Sequence, residues 1–71
     1  MSEIVILRAN ILGGMNEYIT TRGDEDIIEN WLQVFPDGAD EDDLMEIAED
    51  ESLWLEVIQC FARCCRSMGI I

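Results

Sequence analysis

From Gly23 to Glu56 the chain carries fourteen of its sixteen acidic residues and not one Lys, Arg or His. What such a stretch can become is a strongly polarised module, its carboxylates turned to water and its apolar residues gathered on the opposite side. The four arginines all lie outside it, Arg8 and Arg22 before and Arg63 and Arg66 after, and the chain has no lysine. This charge pattern is the principal functional clue in the sequence.

A chain of 71 residues makes one domain, and one of that size buries only about 60% of the surface it exposes when unfolded. Its stability margin is thin, and dimerisation would help it. Against the net charge of −12 stand a 49% apolar content, two Trp, two Phe and four Met, which supply bulk for a core. The charge makes direct nucleic-acid binding and an anionic membrane surface unfavourable, and it favours a basic protein surface as partner. Met1-Ser2-Glu3 lacks the basic start of a signal peptide, and no apolar run reaches the ~20 residues of a membrane span. A soluble, cytoplasmic protein is expected.

Between Ser2 and Arg22 the residues Ile4, Leu7, Ile11, Met15 and Tyr18 recur at three- and four-residue spacing, with Val5, Leu12 and Ile19 alongside, which favours an amphipathic helix. The β-branched run Ile4-Val5-Ile6 and the pair Gly13-Gly14 speak against it. The rival is a β-hairpin, Glu3–Ala9 turning near Gly13-Gly14 into Glu17–Thr21; a helix kinked or begun at the glycines is a third form. Gly23 fits a C-cap, and Asp24, Glu25 and Asp26 suit the first turn of a second helix. Its inward face is Ile27, Ile28, Trp31, Leu32 and Phe35, and Pro36 stops it. Pro36-Asp37-Gly38 reads as a turn.

Asp40 is a good N-cap for a third helix, Glu41 to Glu49, with Leu44, Met45, Ile47 and Ala48 apolar. Asp50 caps the last, Glu51 to Met68, whose stripe Leu53, Val57, Cys60, Phe61, Cys64 and Met68 is the most regular in the chain; Gly69 ends it. The fold class expected is all-α, a compact bundle of three to four short helices, with the N-terminal segment helix or hairpin. The expected core is Ile11, Met15, Tyr18, Ile28, Trp31, Leu32, Phe35, Leu44, Ile47, Leu53, Val57, Phe61 and Cys64.

The acids have two readings. In first helical turns they complement the helix dipole and keep an apolar protein soluble. Fourteen without a compensating cation exceed what capping requires, which points to a face directed at a partner. Duplex DNA carries one charge per ~1.7 Å of axis, and helical carboxylates three or four positions apart lie about 5–6 Å from each other. A rigid array can stand in for a phosphate backbone. The candidate partner-binding residues are Asp37, Asp40, Glu41, Asp42, Asp43, Glu46, Glu49 and Asp50, with Trp54 as an apolar anchor.

No window supplies the ligand pattern of an EF-hand; starting at Asp37, the glycine position falls on Asp42. Cys60, Cys64 and Cys65 are too few for a closed zinc site without other ligands and are poorly placed for disulfides, so buried reduced thiols are expected, with no metal and no cofactor. Without His, Lys or a cysteine–base pair, enzymatic catalysis is the least favoured class. Trp31 suits the core. Trp54, off the stripe of the last helix, suits either an exposed anchor or partial burial against the first helix.

The runs Gly23-Asp24-Glu25-Asp26 through Trp31, Phe35-Pro36-Asp37-Gly38-Ala39-Asp40-Glu41-Asp42-Asp43-Leu44 and Ile47-Ala48-Glu49-Asp50-Glu51 resemble, in style and loose pattern, small acidic proteins of phages and mobile elements. These include DNA mimics and anti-CRISPR inhibitors. The resemblance implies a stoichiometric inhibitor of a basic, nucleic-acid-handling protein and carries no individual residue roles. The alternative is a small structural or regulatory module that acts through apolar homodimer or subunit contacts, its acids serving only solvation.

Overall fold

A computed structural model describes residues 2–70. Four helices follow one another: α1 (Glu3–Arg22), α2 (Glu25–Leu32), α3 (Glu41–Glu49) and α4 (Glu51–Ser67). Among the described residues there is no strand. The helical reading of residues 3–21 therefore holds and the hairpin does not. Ser2 opens α1 by accepting the Val5 N–H at 3.2 Å, and the helix runs unbroken through Gly13-Gly14. Interior glycines cost about 1 kcal/mol each relative to alanine; the burial of Leu12, Met15 and Ile19 against the core offsets that cost.

At about 1.5 Å per residue α1 is some 30 Å long, and it sets the long axis of a molecule measuring 35 × 23 × 17 Å. Gly23 follows it directly in an extended conformation, its N–H bonded to the Ile19 carbonyl at 2.7 Å. A Cβ at this position would lie 2.7 Å from that same carbonyl oxygen and 3.0 Å from Ile27 Cγ2. The glycine is there for close approach of α1 and α2. Asp24 then caps α2 through the Ile27 N–H at 2.9 Å.

α2 is shorter than its apolar pattern suggests. It ends at Leu32, and residues 33–35 tighten into turns, Val34 N–H reaching Trp31 O at 3.2 Å. The residue before a proline is disfavoured in helical geometry, so the tightening begins ahead of Pro36. Phe35 still reaches the core, stacked on Trp31 with ring centroids 5.1 Å apart. Gly38 takes the positive φ of the turn, 71°.

The core is an aromatic chain wrapped by aliphatics. Tyr18 of α1 meets Phe61 of α4 edge-on at 6.2 Å, and Phe61 meets Trp31 of α2 edge-on at 6.1 Å. The contacts Arg8–Trp54 and Tyr18–Phe61 advance together along α1 and α4. By contrast, Cys60 lies against Asn30 and Cys64 against Ile27, so α2 and α4 run antiparallel. α4 closes with Gly69 N–H on Arg66 O and Ile70 N–H on Cys65 O, both at 3.0 Å, a Schellman arrangement.

The expected core needs one correction and several additions. Ile11 is exposed, whereas Leu12 beside it is fully buried. Val5, Leu12, Met15 and Ile19 form the inward set of α1, which shifts the buried stripe by one residue from the Ile4–Leu7–Ile11 series. Ile27, Ala48, Cys60 and Cys65 are buried as well, and Tyr18, Ile28, Leu32, Leu44, Leu53 and Phe61 are half-buried around them.

Candidate functional site

The belt acids divide by what they do. Asp24 caps α2 and Asp50 caps α4. Asp40 and Asp43 form a reciprocal capping box at the start of α3, Asp43 N–H to Asp40 Oδ1 at 3.0 Å and Asp40 N–H to Asp43 Oδ2 at 3.3 Å. Glu51 pairs with Arg8, the one ion pair among the described residues. The remaining nine of the fourteen neither cap a helix nor meet an arginine.

Within those nine the helix dipole makes a further distinction. Glu25, Asp26, Glu41 and Asp42 stand in first turns, where a carboxylate is favourable. Glu46 and Glu49 stand in the last turn of α3, which holds no basic residue. There a carboxylate opposes the dipole at a cost of about 0.3–1 kcal/mol. Capping does not account for these two side chains.

Asp42, Glu46, Glu49 and Asp50 come together around Met45 as a shallow depression of about 440 Å³. Asp42, Glu46 and Glu49 follow one another at four and three residues on one face of α3, so their carboxylates are neighbours, and Asp50, the residue that ends the helix, completes the rim. Met45 also lines a second, more apolar groove of about 410 Å³ between α1 and α3, with Ile6, Ala9, Asn10, Glu41 and Leu44. A methionine is adaptable packing material, and here it joins the acidic surface to the apolar one. The acid pattern drew attention to its neighbours; Met45 itself was legible only as another apolar residue of α3.

The other expected site residues are more scattered. Asp37 is exposed in the turn before Gly38, and Asp40 and Asp43 are engaged in the capping box. Trp54 is half-buried and lies outside the depression, with the Arg8 guanidinium 4.9 Å from its ring centroid. Partial burial against α1 is what the structure shows for it. Arg8 is the residue that sequence reasoning passed over. Its guanidinium bonds Glu51 at 2.9 and 3.3 Å and the Ala48 carbonyl at 3.4 Å, so it fastens α1 to the junction of α3 and α4.

The thiols belong to the core. Cys60 and Cys64 direct their Sγ atoms at the Asn30 and Ile27 carbonyls, 3.7 and 3.9 Å away. Burial, reinforced by Cys60 and Cys65 and opposed by Arg63, pushes the Cys64 thiol up from 9.0 to about 11, and burial raises Cys65 as well. Among the described residues no group of three or more Cys, Asp or Glu is placed to hold a metal ion. No helix is long and apolar enough to cross a membrane.

No family model, curated protein or solved structure matches this chain. Function has to be argued from the residues themselves.

Proposed function

We propose that this is a non-enzymatic binding protein whose acidic face on α3 occupies a basic groove of a nucleic-acid-binding partner, in the manner of a phage-type DNA-mimicking inhibitor. The supporting observation is the pair Glu46 and Glu49, which stand at the unfavourable end of α3 with no arginine beside them. Together with Asp42 and Asp50 they give four carboxylates around one depression. An array of this kind competes with phosphates for Arg and Lys, and its attraction is long-range and salt-sensitive.

The test is capture from a bacterial lysate on the tagged protein at low salt, followed by elution with rising salt or with competing duplex DNA. A retained nucleic-acid-binding protein released by both agents is the expected result. The matching variant is Asp42→Lys/Glu46→Lys/Glu49→Lys, which spares the caps at Asp40, Asp43 and Asp50. Binding of the retained partner then weakens by at least about a hundredfold, with the circular-dichroism spectrum unchanged. Undiminished binding by this variant would end the proposal.

A further inference from the structure

The exposed aliphatic residues are concentrated on α1. Ile4, Leu7 and Ile11 are 63%, 59% and 41% exposed. Spaced by three and then four residues, they form a single stripe about 10 Å long. At 100° per residue this stripe points away from Ile6, Ala9 and Asn10, which line the groove toward α3. It also lies outside the buried set Leu12, Met15 and Ile19. An apolar stripe of this kind on a small acidic protein marks an interaction surface.

Charge decides what covers it. α1 holds Glu3 and Glu17 against Arg8 and Arg22, so in a chain of net charge −12 this helix is neutral. A basic partner gains nothing here, whereas a second copy of the chain meets a helix of no net charge; α4, with Glu51 and Glu56 against Arg63 and Arg66, is the other neutral helix but exposes no comparable aliphatic stripe. The stripe is also self-complementary. A two-fold interface requires each residue to face one that suits it when the order is reversed, and Ile-Leu-Ile reads the same in both directions. With Leu7 on its own equivalent, Ile11 of the second copy lies one residue beyond the position facing Ile4, and Glu3 falls opposite Ile11 and not another acid.

We propose that the Ile4–Leu7–Ile11 stripe of α1 docks on the same stripe of a second copy as an antiparallel two-fold helix pair. Met45, which lines the acidic depression, also lines the groove on the side of α1 turned away from this stripe. A helix is about 10–12 Å thick, more than the Debye length of about 8 Å at physiological ionic strength, so repulsion between the two acid faces is largely screened. Each dimer would carry two acidic faces on opposite flanks.

Salt separates this proposal from the partner-binding one. An apolar contact between two highly negative chains tightens as salt rises, whereas binding of a basic partner weakens. The experiment is sedimentation equilibrium of the full chain over a range of concentrations at low and high NaCl, with Leu7→Arg and Ile4→Arg alongside. The expected result is a monomer–dimer equilibrium that shifts toward dimer in high salt. Leu7→Arg weakens it by about a hundredfold, the scale of withdrawing one leucine per chain from an apolar contact. Circular dichroism checks that each variant keeps its helicity, as expected for an exposed position and a good helix former. A monomer at every concentration and salt overturns the proposal. So does a dimer that weakens with salt, or one that persists in both arginine variants. None of these outcomes bears on the acidic face, which is read by partner capture.

Discussion

The indole N–H of Trp31, a side chain with no exposed surface, donates to Oδ1 of Asn16 at 2.9 Å. This bond crosses from α2 to α1 and satisfies the one polar atom of the largest core side chain. Among the described residues no buried side-chain nitrogen or oxygen lacks a partner.

Replacing Asn16 by alanine leaves that N–H buried and unpaired. The expected loss is about 1–3 kcal/mol, read as a lower urea midpoint with an unchanged slope. Asn16→Asp keeps an acceptor at the same place and loses less. Equal stability of the alanine variant and the parent would show that the bond contributes nothing net.

Glycine substitutions in and after α1 have opposite signs. A Cβ at Gly13 or Gly14 meets nothing within 4 Å, so each alanine stabilises α1 by roughly 0.5–1 kcal/mol. In a domain this small that raises the melting temperature by about 2–8 °C per site. Gly23→Ala forces a Cβ against the Ile19 carbonyl and destabilises by about 1–3 kcal/mol. Thermal melts of the three single variants decide the matter.

The thiols predict an alkaline weakness. Because the folded chain holds the Cys64 proton up to about 11 whereas the ordinary value is 9.0, the unfolded chain releases it first as pH rises. Stability contributed by the buried thiol is complete below pH 9 and declines between 9 and 11. Denaturant midpoints at pH 8 and pH 10.5 should differ, and Cys64→Ala should flatten that dependence. At neutral pH the buried thiols should alkylate slowly until denaturant opens the fold.

Glu49→Gln removes a carboxylate from the unfavourable end of α3. Stability should rise by about 0.3–1 kcal/mol at low salt, with the gain fading as salt screens it. Under the proposed function the same change weakens partner binding. A variant of unchanged stability that binds equally well would assign Glu49 to neither role.

Much of this fold was readable because the caps are local. Asp24, Asp40 and Asp50 announce three helix starts from their own positions, and Gly38 and Gly69 mark a turn and an end. The glycine pair at 13 and 14 is where local preference misleads, because propensity there is overridden by packing of Leu12, Met15 and Ile19 across the bundle. Ile11 was misplaced for a related reason. α1 is apolar on more than one side, and periodicity cannot choose between adjacent stripes when both are aliphatic. At the candidate site the acids were visible as a run, but not their division of labour. That Asp43 completes a capping box while Asp42 stays free depends on a hydrogen bond of the folded backbone. The reach of Arg8 across forty-three residues to Glu51 has no local signature at all.

Asp50 ends α3 and begins α4 without any linker between them, its N–H on the Glu46 carbonyl at 3.2 Å and its carboxylate on the Ser52 and Leu53 N–H groups at 2.9 and 3.2 Å. The joint has no slack, and Arg8 braces it from α1. An acidic tail that wraps a basic groove must surrender its disorder on contact, and affinity suffers accordingly. Here the carboxylates of α3 are spaced in advance by folding, so under the proposed function a partner would meet a ruler and not a brush. Shape as well as charge would then govern which basic surfaces this protein can hold.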